Sequence, residues 1–129
     1  MKTNIMMMLM SDTYKHTHPR MYPQNLTKLV SYLTPRKNMS AAFPNMVFFG
    51  LQPFIIDYLV DGFNDQFFNK PLEDVEKEYK HYMGIQIGVD NTEWSKIKSL
   101  HQLGYLPLEI RALSEGTVVN MGVPVVEMT

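Results

Sequence analysis

The chain carries a dense polar and aromatic stretch, Ser11-Asp12-Thr13-Tyr14-Lys15-His16-Thr17-His18, directly after a short apolar run at residues 5–10. We predict a buried strand over residues 5–10, because the run is continuous and rich in methionine, which fills irregular core space. The alternative is a fragment of buried helix, which periodicity alone does not distinguish from a strand. A fixed backbone followed by a polar turn commonly presents side chains to a ligand, so the stretch is our candidate site.

Helix signals appear in four places. Ser11 and Asp12 are good N-cap residues, so a short helix is predicted to begin there. The spacing of apolar residues predicts helices at 51–59, from Pro71 to Gly84, and at 92–103 with Gly104 at the end. Trp94, Ile97, Leu100 and Leu103 are expected to face inward in the last of these.

Strand signals lie between and after the helices. Apolar runs or alternation predict strands at 26–33, 46–49, 106–112, 117–119 and 123–128. The last three, joined by glycine-containing turns, predict a C-terminal antiparallel β-meander. The fold class is therefore α+β, with N-terminal strands and short helices, in one domain over residues 1–129.

Composition excludes several classes of function. There is no cysteine, so disulfides, thiolate catalysis and cysteine-zinc sites are excluded, and a cytoplasmic location is expected. The net charge of -1 argues against nucleic-acid binding, and no run is long enough for a membrane span. Between Asp12 and Asp57 the charged residues are all basic: Lys15, Arg20, Lys28, Arg36 and Lys37. Such a segment suits a small anion such as phosphate. The simpler explanation is scatter of charges over solvated faces.

Three residues are candidates for ligand binding, and each has a simpler structural role. Tyr14 is either a core aromatic or a stacking platform, and its residue type favours the core. Asp12 is either a helix cap or an acceptor for a ligand amide, and its residue type favours the cap. Arg36 is either a surface charge or an anion clamp, since the guanidinium geometry suits phosphate.

Metal binding and common catalytic motifs find little support. His16 and His18 would share one face of a strand and so suggest a metal pair, but no further ligand stands at a suitable spacing. We therefore predict no metal site and assign no catalytic residue. A glycine-rich phosphate loop and a serine nucleophile elbow are both absent from the sequence.

Several blocks of the sequence, in order, resemble the N-terminal domain of nicotinamide phosphoribosyltransferases. They are Ser11–His18, Met21-Tyr22-Pro23, Ser31-Tyr32 with Arg36, Val47–Gln52, Leu106–Ala112, Ser114–Val119 and Gly122–Val125. Members of this family transfer a phosphoribosyl group from phosphoribosyl pyrophosphate to nicotinamide, in NAD salvage. The resemblance implies homodimers whose active sites lie at the subunit interface.

The resemblance also implies roles for the three candidates. Tyr14 matches a tyrosine that stacks on the nicotinamide ring across the interface, Asp12 matches an aspartate near that ring, and Arg36 matches an arginine that helps hold phosphate groups. The family's barrel domain, with its catalytic histidine, is lacking here. We therefore expect an N-terminal domain or split piece that is inactive alone and needs a barrel-domain chain or a homodimer partner. We expect no cofactor in this chain itself, since phosphoribosyl pyrophosphate and Mg²⁺ belong to the complete enzyme.

An alternative hypothesis is a non-enzymatic interaction module derived from that domain. Its C-terminal strands would bind a partner by strand addition.

Overall fold

The chain forms two compact units in a computed structural model that describes residues 5–91 and 93–129. The first unit comprises the N-terminal segment up to Gln24 and Phe54–Leu106, and its described part is helical. The second comprises Asn25–Pro53 and Pro107–Thr129 and contains the β-strands of the described residues. Helices and antiparallel strands are thus segregated, and the predicted α+β class is confirmed. None of the described helices has both the length and the apolar character that a membrane span requires.

Two long helices dominate the first unit. Helix α2 spans Leu72–Ile87, with Pro71 at its N-cap and two acidic residues in its first turn, where they complement the helix dipole. The predicted end at Gly84 was wrong: the helix passes through that glycine and stops at Gly88, whose φ of +84° disfavours other residues. Helix α3 spans Trp94–Leu103 and ends, as predicted, at a left-handed Gly104.

Shorter helical turns begin at residues 51–53 of the second unit and continue through the first unit. Helix α1, at Leu51–Phe54, continues as wider π-helical turns at Ile55–Gly62 and Asn64–Phe68. The helix predicted at 51–59 is confirmed in position, but the helical run extends further. Short 3₁₀ helices lie at Met7–Met10, Thr13–Met21 and Val89–Asn91.

The core of the first unit explains why residues 5–10 do not form the predicted strand. Met6 is fully buried against aromatic and aliphatic side chains of the helices: Phe67, Val75, Tyr79 and Met83. The run is therefore buried, as predicted, but no strand of the described residues lies in this unit to pair with it. Its backbone forms a 3₁₀ turn instead. Leu103, predicted to face inward, is 45% exposed, whereas the other three predicted side chains of α3 pack on this core.

The strands of the second unit form two sheets. The three-stranded sheet has β5 (Val126–Met128) at its centre, between β1 (Ser31–Leu33) and β3 (Ile110–Ala112). The two-stranded sheet pairs β2 (Asn45–Val47) with β4 (Val118–Asn120). The strands predicted at 26–33, 46–49, 106–112 and 123–128 are present but shorter, and the one predicted at 117–119 is present with a shift of one residue.

The C-terminal strands are antiparallel as predicted, but they do not pair in the consecutive order of a meander. Strand β4 leaves its sequence neighbours and pairs with β2, so that Met46 lies opposite Val119. Both side chains join a core formed by Phe48, Val125 and Val126. Turn residues reveal that a chain reverses, but the shared core decides which strand the reversed segment joins.

Candidate functional site

The candidate site begins at a 3₁₀ helix, Thr13–Met21, whose N-cap is Asp12. The predicted helix start is thus confirmed. The backbone carbonyl of Asp12 accepts a hydrogen bond from the Lys15 N–H at 2.9 Å. The Asp12 side chain, however, makes no capping hydrogen bond, and the residue is exposed. Its carboxylate therefore stays available as an acceptor.

Tyr14 lies on the surface of the first unit rather than in its core. Its side chain is 57% exposed, which contradicts the core role that its residue type favoured. The ring centroid lies 5.5 Å from that of His18, with the planes tilted by 53°, and 5.1 Å from the Lys15 ammonium. A phenol ring held by neighbours along one helix and open to solvent over half its area is suited to stacking on a flat ligand.

The helix that carries these side chains is held to the rest of the first unit by polar contacts far apart in sequence. Arg20 forms an ion pair with Glu93 and donates to the Asp90 carbonyl from Nη2 at 2.8 Å. At the other end, the Thr13 hydroxyl donates to the side-chain carbonyl of Gln86, near the end of α2. The segment is thus fixed at both ends, although it is only a short 3₁₀ helix.

His16 points from the same helix toward the core. Its Nε2 lies 3.2 Å from the Met8 carbonyl oxygen and 3.2 Å from the Ser11 hydroxyl. Its Nδ1 lies 3.5 Å from the hydroxyl of the buried Tyr79. Burial lowers the pKa of His16, and the Met8 carbonyl partly opposes that shift because it favours the protonated ring.

The two histidines of the suggested metal pair have different surroundings. His16 faces Met8 and Tyr79, whereas His18 packs between the rings of Tyr14 and Tyr22, with centroid distances of 5.5 and 6.4 Å. Within the described ranges, no three histidine or acidic side chains are placed to hold a metal ion.

Arg36 belongs to the second unit, in the loop after β1, and it is exposed. The backbone before it is anchored, because the Leu33 carbonyl accepts from the Val125 N–H at 2.9 Å and the Pro35 carbonyl accepts from the Gly122 N–H at 2.7 Å. A long guanidinium side chain therefore projects from a fixed point of the backbone. The structure thus places Asp12 and Tyr14 together on one helix, and Arg36 in the other unit.

A polar row crosses the three-stranded sheet beside that loop. The register places Tyr32 and Arg111 on either side of Glu127. The hydrogen bond with Glu127, and then its charge, raise the pKa of Tyr32. Arg111 donates to one oxygen of Glu109 from Nε at 2.8 Å and Nη2 at 2.6 Å, which raises the pKa of Arg111. Tyr32 and Arg111 are exposed and Glu127 is half-buried, so the row contributes to register more than to stability.

The contacts that fix the site were not visible in the sequence. The contacts of Thr13 with Gln86, His16 with Tyr79 and Arg20 with Glu93 join residues 63 to 73 positions apart. No local spacing links such pairs. The residue type and position of His16 do not identify Tyr79 as its partner.

Comparison with known proteins agrees with the resemblance. The family model for the nicotinamide phosphoribosyltransferase N-terminal domain matches residues 6–110 of the sequence. A nicotinamide phosphoribosyltransferase of Acinetobacter baylyi is 43% identical over 119 aligned positions, which cover 88% of this chain. The chain spans about a quarter of that relative's length, 24%. With a family model matching most of its residues, the chain belongs to the nicotinamide phosphoribosyltransferase N-terminal domain family.

Proposed function

We propose that this chain supplies substrate-binding residues to an enzyme that makes nicotinamide mononucleotide from nicotinamide and phosphoribosyl pyrophosphate, in NAD salvage. The observation that carries the proposal is the Asp12–Tyr14 segment at the start of the 3₁₀ helix. The Tyr14 ring is exposed, the Asp12 carboxylate makes no capping hydrogen bond, and Thr13 anchors the segment to α2. A structural role in the first unit does not account for either side chain.

Each residue has one task in the proposed site. The Tyr14 ring stacks on the pyridine ring of nicotinamide, since a flat heteroaromatic binds well to an aromatic face. The Asp12 carboxylate accepts a hydrogen bond from the carboxamide N–H₂, which fixes the orientation of that ring. Arg36 donates paired hydrogen bonds to a phosphate group of the co-substrate. None of the three moves a proton or forms a covalent bond.

The remaining parts of the site come from outside this chain in the proposal. A barrel-domain chain, or the partner in a homodimer, provides the catalytic groups, and any Mg²⁺ acts there to neutralise pyrophosphate charge. Nucleic acid and membranes have no part in it, and the proposed location is the cytoplasm. By itself the chain is expected to be inactive.

Reconstitution tests this proposal. The purified chain is assayed for nicotinamide mononucleotide, alone and mixed with the Acinetobacter baylyi relative from which the matching segment has been deleted. We expect no product from either part and product from the mixture. Turnover by the isolated chain, or a folded mixture that binds neither substrate, would contradict the proposal and favour an interaction module.

A further inference from the structure

We infer that His16 is a positioning residue for the Asp12–Tyr14 segment: in its neutral form it ties the segment to the buried Tyr79, and its protonation loosens that tie. The inference rests on the proposed function only in taking Asp12 and Tyr14 as the groups that are positioned. His16 lies on the same 3₁₀ helix as Tyr14 and is half-buried where Tyr14 is exposed. It is therefore the side chain through which this part of the helix reaches the core.

The contacts at Nε2 select one tautomer. The Met8 carbonyl at 3.2 Å is able only to accept a hydrogen bond. The Ser11 hydroxyl, also at 3.2 Å, already donates its proton to the same carbonyl at 2.9 Å, so its oxygen is left to accept. Both neighbours of Nε2 are thus acceptors, and Nε2 must carry the proton of the neutral ring.

The contact at Nδ1 then depends on that tautomer. In the neutral ring Nδ1 is an acceptor, and the Tyr79 hydroxyl, 3.5 Å away, is the donor. The two rings also pack together, with centroids 5.7 Å apart and planes tilted by 55°. Protonation of His16 puts an N–H against the hydroxyl that had been donating to it. The hydroxyl hydrogen must then rotate away from His16, so the hydroxyl of the fully buried Tyr79 loses the acceptor that it had.

The surroundings offer little compensation for a positive charge. Tyr79 is the titratable side chain that faces the imidazole from α2, and it is neutral. Burial is the larger cause of the raised pKa of Tyr79, and the charge of Glu93 also raises it. The helix before it offers only the neutral Met8 carbonyl. Among the described residues, no carboxylate contributes to the pKa shift of His16. The charged form is therefore disfavoured in the anchored state and favoured when the segment detaches.

Hydrogen exchange on the intact 129-residue chain tests the inference. Amide protection of peptides covering Thr13–Met21 is measured at pH 7.5 and pH 5, corrected for intrinsic exchange, for the wild type and for His16→Gln. We expect the wild type to lose protection at pH 5, by up to about tenfold for each unit of pKa depression. His16→Gln should show no such loss. His81→Gln, at an exposed position of α2, is the matched control and should behave as the wild type.

Two results would overturn the inference. One is loss of protection at pH 5 that is equal in the wild type and His16→Gln. The other needs no variant: long-range proton–nitrogen spectra of the wild type should show the Nε2–H tautomer of His16, and an Nδ1–H tautomer would rule out the tie. Nicotinamide is absent from both measurements, so failure of the proposed function leaves their outcome unaffected.

Discussion

At the scale of single residues, the proposed site consists of exposed side chains that take no part in the core of either unit. Tyr14 is exposed although an aromatic ring gains free energy from burial, and Asp12 occupies an N-cap without capping. Arg36 projects from an anchored loop. Binding residues characteristically depart from the preference that their type shows in a fold. Tyr14 and Asp12 show that departure, and the proposed site combines them with Arg36.

Arg36 gives the first prediction at this scale. In the reconstituted enzyme, Arg36→Ala should raise the KM for phosphoribosyl pyrophosphate by about 10- to 150-fold, which corresponds to about 1.5–3 kcal/mol for hydrogen bonds to a charged group. Arg36→Lys should recover only part of this, because an ammonium cannot form the paired contact.

The control for Arg36 is Lys28→Ala, an exposed basic residue of the same unit. It removes one positive charge without removing a guanidinium and should leave the KM close to that of the wild type. Equal effects at both positions would reduce the role of Arg36 to general electrostatic attraction.

At the scale of elements, the sequence predicted what local patterns determine. The helix starts near Asp12 and Pro71 and the stop at Gly104 follow from capping chemistry, and they agree with the structure. The predicted strand at 5–10 was wrong because the run is buried where it has no strand to pair with. The predicted end of α2 was wrong because packing continues the helix past the local stop signal.

The candidate site was predicted only in part, for a related reason. Residue chemistry identified Asp12, Tyr14 and Arg36 as able to bind a ligand, but it favoured a core position for Tyr14. The ties that position the segment, from Arg20 to Glu93 and from His16 to Tyr79, join residues distant in sequence. Only the fold brings such pairs together.

His16 leads to a prediction about stability and pH at this scale. Its pKa in the folded chain is lowered from 6.5 by burial, so the unfolded chain takes up the proton first as pH falls. The stabilisation is therefore complete above about pH 6.5 and is lost as pH falls through the lower, folded value. Urea unfolding at pH 7.5, 6.5 and 5.5 should show a smaller decline in the free energy of unfolding for His16→Gln than for the wild type.

The control for this prediction is His81→Gln, which removes a histidine from an exposed position. Its decline with pH should match the wild type. A wild-type decline that persists undiminished in His16→Gln would assign the effect to other groups.

At the scale of the whole molecule, each of the two units has its own core. Buried methionine, aromatic and valine side chains hold the helices of the first, while Phe48 and three valines hold the strands of the second. Numerous large apolar side chains nevertheless remain exposed, among them Phe43 at 73% and Phe49 at 77%. Exposure on this scale is typical of a surface that another domain or chain covers, and the chain spans 24% of the length of its relative.

The cores supply a prediction that separates buried from exposed aromatics. Phe67→Ala, at a fully buried position among two other phenylalanine rings and His101, should lower the free energy of unfolding by about 3–5 kcal/mol. Phe43→Ala, at an exposed position, should change it by no more than about 0.5 kcal/mol. Denaturant unfolding of the two variants compares them directly, and similar losses would contradict the described core.

The central claim is that this chain lends Tyr14 to a nicotinamide site, and nicotinamide affinity in the reconstituted enzyme tests it most directly. Tyr14→Ala should weaken the affinity by about 5- to 150-fold, from a stacking contribution on the order of 1–3 kcal/mol, whereas Tyr14→Phe keeps the ring and should retain it. Tyr22, at the C-cap of the same helix, is another exposed tyrosine that contacts His18, so Tyr22→Ala is the matched control and should bind as the wild type. Unchanged nicotinamide affinity in a folded Tyr14→Ala enzyme would contradict the account.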